Sequence, residues 1–195
     1  MGLDSVELVI EIENFFSIEI LDEEAERLYT IQDMVDTVAA HLNIIKTDMK
    51  LRDTMFRDVA LRIRELTKTN GEIELSDLAC NYIKPEEQEK WQYLSKELNL
   101  SVPKPDRVRK YGNKLSDKVI SLFSMPQMYN WTDITFDQFV TAICANNYLD
   151  LIKKANITSK YEIYVAVMGI TVDKIGVHYY EIGPDKSFTS DLGVD

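Results

Sequence analysis

Several features that mark common protein classes are scarce or missing in this sequence of 195 residues. It has two cysteines, Cys80 and Cys144, which are too few for a disulfide framework and lie in apolar helical patterns. Its first residues lack a basic region followed by an apolar run, and no apolar stretch approaches the length of a membrane span. We therefore expect a cytoplasmic protein with reduced thiols and no association with a membrane.

Motifs typical of catalysis and metal binding are also missing. The sequence has no glycine-rich phosphate loop, no paired metal-ligand spacing and no nucleophile elbow. Of the two histidines, His41 is predicted to lie at a helix end and His178 in a loop, neither with an obvious cysteine or carboxylate partner. The sequence therefore predicts no catalytic residue, no bound metal and no enzymatic activity.

Basic residues are fewer than acidic ones. The chain has 22 Lys and Arg and 33 Asp and Glu, which gives a net charge of −11. Residues 1–45 contain a single basic side chain, Arg27, among many acids, and residues 156–195 are acidic as well. The residues between them are nearly balanced, so the two terminal pieces share a character that indicates one domain. An acidic domain does not suit nucleic acid, whose phosphates need Lys and Arg, but it suits a protein partner with a basic docking patch.

Short amphipathic helices are predicted in both terminal pieces. Three capping boxes begin helices: Asp4 with Glu7, Thr30 with Asp33, and Ser159 with Glu162. In the first of these helices Val6, Val9 and Ile10 are predicted to face inward, and Gly176 ends the last one. Because isolated helices of this length are marginal in water, we expect them to bury their apolar faces together in a four-helix bundle.

The middle of the chain also reads as mostly helical. Helices are predicted over residues 50–68, 76–83, 85–98 and 136–147, and residues 114–123 suit either a helix or a strand. Pro103 and Pro105 mark a break. In the 50–68 helix the arginines, Arg52 among them, alternate with acids, which predicts a solvated face of salt bridges.

The two ends of the chain match one known family when they are read tail to head. The C-terminus runs Phe-Thr-Ser-Asp-Leu-Gly-Val-Asp195, and the N-terminus continues Met-Gly-Leu-Asp-Ser-Val-Glu-Leu, then Phe16-Ser-Ile-Glu-Ile-Leu-Asp-Glu-Glu-Ala25. In this order the runs resemble an acyl carrier protein from its first helix to its last. The resemblance implies an all-α, circularly permuted carrier, with residues 1–45 and 156–195 as a discontinuous acyl-carrier-like domain and residues 46–155 as a helical insert domain.

In this alignment the two chain ends lie at the position of the serine to which a carrier protein attaches its phosphopantetheine arm. In the family, Asp-Ser-Leu contains the serine that receives phosphopantetheine, and here Asp195 and Leu3 match its outer residues while Gly2 takes the serine slot. Glycine has no hydroxyl to esterify, so no cofactor is expected. A competing alignment makes Ser5 the phosphopantetheine site, although it duplicates the aspartate of Asp195 and leaves Ser5 in the first turn of a helix.

The resemblance implies a non-enzymatic interaction module in a fatty-acid or polyketide-type pathway. Its expected docking residues are Asp4, Glu7 and Glu11, and its expected partners are acyl-chain-processing enzymes with basic patches. Two alternatives stay open: a functional carrier with phosphopantetheine on Ser5, and an enzyme or ligand-binding protein with its site in the insert. A domain-swapped homodimer, in which the tail of one chain completes the head of another, is also open.

Overall fold

The computed structural model describes residues 3–69, 71–105 and 130–194, and this part of the chain is all-α, as predicted. Its α-helices are α1 (Leu3–Phe16), α2 (Asp22–Ala25), α3 (Ile31–His41), α4 (Lys50–Thr67), α5 (Gln88–Leu98), α6 (Phe136–Asn146), α7 (Tyr148–Leu151) and α8 (Lys160–Ile175). Short 3₁₀ turns cover Ala79–Asn81, Trp131–Asp133, Lys154–Asn156 and Tyr179–Glu181. Within the described ranges β pairing is limited to two isolated bridges, Thr30 with Ser187 and Leu78 with Thr135.

The first helix starts earlier than predicted and presents a different face to the core. α1 begins at Leu3, so Asp4 lies inside its first turn rather than at the predicted cap position. The Asp4 side chain lies outside the described residues, so its reciprocal bonding with Glu7 stays a prediction. Val6 and Ile10 are 42% and 46% exposed, so the prediction that they face inward is also wrong. The side chains that α1 does bury lie on its opposite side: Leu8, Ile12, Phe15 and Phe16.

The other two capping boxes in the terminal pieces are confirmed. Thr30 Oγ1 accepts a hydrogen bond from the Asp33 amide at 3.1 Å, while Asp33 Oδ2 accepts one from the Thr30 amide at 2.8 Å. The same reciprocal pair joins Ser159 and Glu162 at the start of α8. That helix ends at Gly176, whose φ of 74° places it in the left-handed region that favours glycine.

The tail of the chain pairs with its head through the backbone. The Ile31 amide donates to the Lys186 carbonyl at 3.0 Å, and the Phe188 amide donates to the Tyr29 carbonyl at 3.0 Å. After this pairing the tail turns inward and buries three apolar side chains: Phe188, Leu192 and Val194. Residues at opposite ends of the sequence therefore lie in contact.

The long C-terminal helix α8 packs against both α1 and α3. Two ion pairs mark these contacts at the surface. Lys174 Nζ lies 2.7 Å from Glu11 Oε1 on α1, and Lys160 Nζ lies 2.5 Å from Asp36 Oδ1 on α3. The buried side chains of α1, α3, α8 and the tail belong to one hydrophobic cluster.

Most of the predicted helices of the middle segment are confirmed. α4 buries Met55, Val59 and Ile63, α5 begins at Gln88 rather than Pro85, and α6 covers the predicted 136–147 region. The helix predicted over 76–83 is wrong, because that region contains only a 3₁₀ turn. Its Ala79 amide donates across the fold to the Ile134 carbonyl at 2.9 Å instead of to a preceding helical turn. Residues 114–123 lie outside the described part of the chain.

α6 connects the middle segment to the terminal segments. Every residue from 139 to 145 is buried, and α6 lies against both α4 and α8. Buried residues of the middle and terminal segments belong to the same hydrophobic cluster. The division into a domain of residues 1–45 with 156–195 and an insert of residues 46–155 stays a prediction.

Candidate functional site

The residues predicted to meet at the serine slot are only partly described. Gly2 and Asp195 lie outside the described residues, so their placement around Leu3 stays a prediction. Leu3 begins α1, and Ser5 lies in the first turn of that helix with an intermediate exposure. On the tail side the description ends at Val194, which is buried.

The exposed side of α1 combines apolar and acidic groups. We call the set Val6, Glu7, Ile10 and Asn14 the α1 outer face, since all four side chains are exposed and lie on one side of the helix. Two aliphatic side chains, Val6 and Ile10, therefore lie in solvent beside the carboxylate of Glu7. The sequence had suggested the acidic part of this surface but not its apolar part.

The predicted docking carboxylates differ in their surroundings. Glu7 is exposed on the α1 outer face, whereas Glu11 is partly exposed and binds Lys174 of α8 at 2.7 Å. The hydrogen bond to Glu11 raises the pKa of Lys174 above its ordinary value. Asp4 lies in the first turn of α1. Of these residues, Glu11 already has a cationic partner within the protein, and Glu7 is exposed.

Both histidines have structural contacts. His41 Nε2 lies 3.0 Å from Glu24 Oε2, so the expectation that no carboxylate accompanies it is wrong. The partner was missed because α2 brings Glu24 to the end of α3 only in the folded chain. Glu24 also accepts a hydrogen bond from the Leu21 amide, and this bond, followed by the one with His41, holds the pKa of Glu24 below its ordinary value. His178 Nδ1 accepts from the Tyr180 amide at 3.3 Å.

The cysteines offer little nucleophilic chemistry. Cys144 is fully buried in α6, and burial raises the pKa of its thiol to about 12, so the thiol stays protonated near neutral pH. Cys80 is partly exposed, and its Sγ lies 3.9 Å from the Thr132 carbonyl oxygen. Over the described ranges, no group of three or more His, Cys, Asp or Glu is placed to hold a metal ion.

A cavity of about 360 Å³ lies where the terminal segments meet the middle segment. Its walls come from α3, the start of α4 with the loop before it, α6, α8 and residues 179–184. Arg52 lines it and lies 3.4 Å from Asp137 on α6, while the Tyr161 hydroxyl lies 3.0 Å from Thr141 Oγ1. The sequence predicted Arg52 on a solvated face of salt bridges, and its side chain does pair with acids, but it is only 22% exposed and also lines the cavity. No sequence pattern indicates that α4 and α8 lie beside the same cavity, so the cavity was not predictable.

Comparison with known proteins supports the carrier resemblance over part of the chain. A stretch of 37 residues, 19% of this chain, is 56% identical to an acyl carrier protein of Thermosynechococcus vestitus (strain NIES-2133 / IAM M-273 / BP-1). The match covers 46% of that protein, so the chain spans about half the length of this curated relative. No family model and no solved structure matches the sequence. Similarity to acyl carrier proteins is therefore confirmed for part of the chain.

None of the helices in the described residues combines the length and the apolar composition that a membrane crossing needs.

Proposed function

We propose that this protein is an acyl-carrier-like interaction module that acts without enzymatic activity in a fatty-acid or polyketide-type pathway. The observation that carries the proposal is the contact between the two ends of the chain. The Ile31 amide bonds the Lys186 carbonyl, the Phe188 amide bonds the Tyr29 carbonyl, and α8 packs on α1 and α3. Two runs that resemble a carrier thus lie in contact, and the 37-residue match to an acyl carrier protein supports the acyl-carrier-like part of the proposal.

Circular permutation is part of this proposal. In the permuted carrier, α8 takes the place of the first helix, and α1, α2 and α3 follow in the order of the family. The supporting physical argument is burial, because Ile12 of α1, Val38 of α3 and Val165 of α8 are all fully buried and lie in the same hydrophobic cluster. Short helices with such faces are stable only when they share a core.

The module is proposed to lack the phosphopantetheine arm because Gly2 occupies the serine slot. We expect no change in intact mass when the protein is incubated with coenzyme A and a broad-specificity phosphopantetheinyl transferase. An ordinary acyl carrier protein in the same reaction provides the positive control. A gain of one phosphopantetheine that disappears in Ser5→Ala would contradict the proposal and establish the carrier alternative.

Docking is assigned to the α1 outer face, where Glu7 is exposed beside Val6 and Ile10. A charge on the rim of an interface acts mainly on the association rate and its salt dependence, whereas a buried apolar contact slows dissociation. We therefore expect Glu7→Lys to lower the association rate with an isolated ketosynthase that has a basic docking patch. Ile10→Ser is expected to raise the dissociation rate, and surface plasmon resonance at several salt concentrations measures both.

Glu97→Lys is the matched control for the docking experiment. Glu97 is exposed on α5, and its replacement changes the net charge by the same amount as Glu7→Lys. We expect Glu97→Lys to leave the binding rates nearly unchanged. Equal effects of the two reversals would mean that only net charge matters, and no effect of either would show that α1 is not the docking surface.

A further inference from the structure

The cavity between α3, α4, α6 and α8 has no part in docking through α1. Its volume of about 360 Å³ falls within the range of small-molecule sites and equals that of about a dozen water molecules. Part of its wall is apolar and buried, formed by Val35, Met168 and Ile182. A molecule bound here would contact both the terminal segments and the middle segment.

The polar groups of the cavity include donors that have spare hydrogen-bonding capacity. Arg52 directs Nε and Nη2 to Asp53 Oδ1 at 3.1 and 2.9 Å and Nη1 toward Asp137 at 3.4 Å. A guanidinium has five N–H groups, so two remain. Among the described residues, none hydrogen-bonds the hydroxyl of Tyr164, which also lines the cavity. Burial raises the pKa of Tyr164, which keeps that hydroxyl protonated as a donor.

The hydrogen-bond donors of the cavity favour a ligand with a strong acceptor group. The first turns of four helices each contribute lining residues: Gln32 in α3, Arg52 in α4, Asp137 and Gln138 in α6, and Lys160 with Tyr161 in α8. Helix N-termini carry partial positive charge, and the N-terminus of α4, whose N-cap is Met49, has no side-chain cap for its amides, whereas side chains cap α3, α6 and α8. Both cationic side chains of the walls are paired, Arg52 with Asp53 and Asp137 and Lys160 with Asp36, so the unused N–H groups of Arg52 select an acceptor rather than an excess of positive charge.

From these features we infer that the cavity binds a small monocarboxylate with an apolar body. The carboxylate accepts hydrogen bonds from the remaining N–H groups of Arg52 and from the Tyr164 hydroxyl. The apolar body lies along Val35, Met168 and Ile182. Lys160 is engaged by Asp36 at 2.5 Å and makes no contact with the carboxylate. Binding at this site does not depend on the acyl-carrier-like role.

The full chain can be titrated by isothermal calorimetry with octanoate and 3-phenylpropionate, and with 1-octanol and 3-phenylpropanol as matched alcohols. We expect the acids to bind at least about tenfold more tightly than the alcohols, since hydrogen bonds to a charged group are the stronger ones. Arg52→Gln should weaken acid binding about ten- to a hundredfold, and Tyr164→Phe by a few fold. Arg57→Gln, an exposed arginine on the same helix, should leave it unchanged.

Thr47→Trp gives an independent test that leaves the polar groups in place. Thr47 lies in the exposed loop before α4 and lines the cavity, so an indole there should fill its entrance and abolish acid binding. Circular dichroism tests whether each variant is folded. If Arg52→Gln is unfolded, acid binding by Thr47→Trp and Tyr164→Phe decides the inference. The inference is overturned if neither acid binds, if acids and alcohols bind equally, if Arg57→Gln weakens binding as much as Arg52→Gln, or if folded Thr47→Trp binds normally.

Discussion

At the scale of single residues, Gly169 permits the close approach of α8 to the chain that leaves α6. A Cβ added at this glycine would lie 2.3 Å from Tyr148 Cδ1 and 2.7 Å from the Ala145 carbonyl oxygen. The second atom belongs to the backbone, so it cannot be moved by rotating a side chain. The sequence showed only a glycine within a helical pattern, because nothing local reveals which residue will lie opposite.

We predict that Gly169→Ala lowers the free energy of unfolding by about 1–3 kcal/mol, the usual range for overpacking a core. Alanine favours a helix over glycine by about 1 kcal/mol, so a net loss would demonstrate the steric contact. Urea denaturation measures the change. Gly71→Ala is the control, because its nearest neighbour would be Thr69 Cγ2 at 3.8 Å and its effect should stay within about 0.5 kcal/mol. Equal stability of Gly169→Ala and wild type would contradict the packing.

At the scale of helices, capping pairs in the sequence predicted the starts of α3 and α8 correctly, but not the start of α1. Thr30 with Asp33 and Ser159 with Glu162 cap α3 and α8 as predicted, whereas α1 begins at Leu3, one residue before the predicted cap at Asp4. A helix that starts at Leu3 and a helix capped by Asp4 both place Asp4 near the positive N-terminal end. The local pattern therefore could not distinguish the two starts. The assignment of Val6 and Ile10 to the core failed because the stripe through Leu8 and Ile12 is the one that meets other helices.

The ion pair between α3 and α8 predicts a pH dependence. The hydrogen bond from Lys160 is the main cause that lowers the pKa of Asp36 below its ordinary 3.8. A carboxylate with a lowered pKa in the folded state adds stability above its ordinary pKa, and this stability is lost as the pH falls through the lowered value. Because Asp36 is half-exposed, the contribution is about 0.2–1 kcal/mol.

We therefore expect Asp36→Asn to be less stable than wild type at pH 7 by that amount and to approach wild-type stability below about pH 3. Chemical denaturation at the two pH values measures the difference. Asp58→Asn, at an exposed carboxylate on α4, provides the comparison. A deficit of the Asp36→Asn variant that persists unchanged in acid would rule out the ion pair as its cause.

At the scale of the whole molecule, α8 is covered on more than one side. It packs against α1 and α3 of the terminal segments and against α6 of the middle segment, and nine of its sixteen residues are buried. A helix that is apolar around most of its circumference lies inside a fold rather than on its surface. The terminal segments therefore rely on the middle segment to cover one side of α8.

This coverage predicts how the terminal segments behave alone. A rejoined chain, with residues 156–195 placed directly before residues 1–45, should retain helical circular dichroism but melt at a lower temperature than the full chain. It should also bind the dye ANS, because the side of α8 that faces α6 becomes exposed. A rejoined chain as stable as the full chain would show instead that the terminal segments form an independent domain.

The domain-swapped homodimer stays an open alternative, which light scattering can decide. In the described chain, the Ile31 amide and the Lys186 carbonyl bond within one molecule. We expect the mass in solution to be that of a single chain, 22.5 kDa. A mass of twice this value would indicate that the tail completes the head of a second copy.

The sequence by itself determined what depends on neighbours along the chain: the all-α class, the caps of α3 and α8, the position of α6 and the acidic character of both ends. These follow from periodicity, composition and side chains that bond their own backbone. Only the tertiary structure decided which face of α1 is exposed, where Glu24 meets His41, how Gly169 admits Tyr148, and that Arg52 and Tyr164 share a cavity. Each of these depends on packing between distant helices, and no local pattern encodes the partner that a side chain meets across the core.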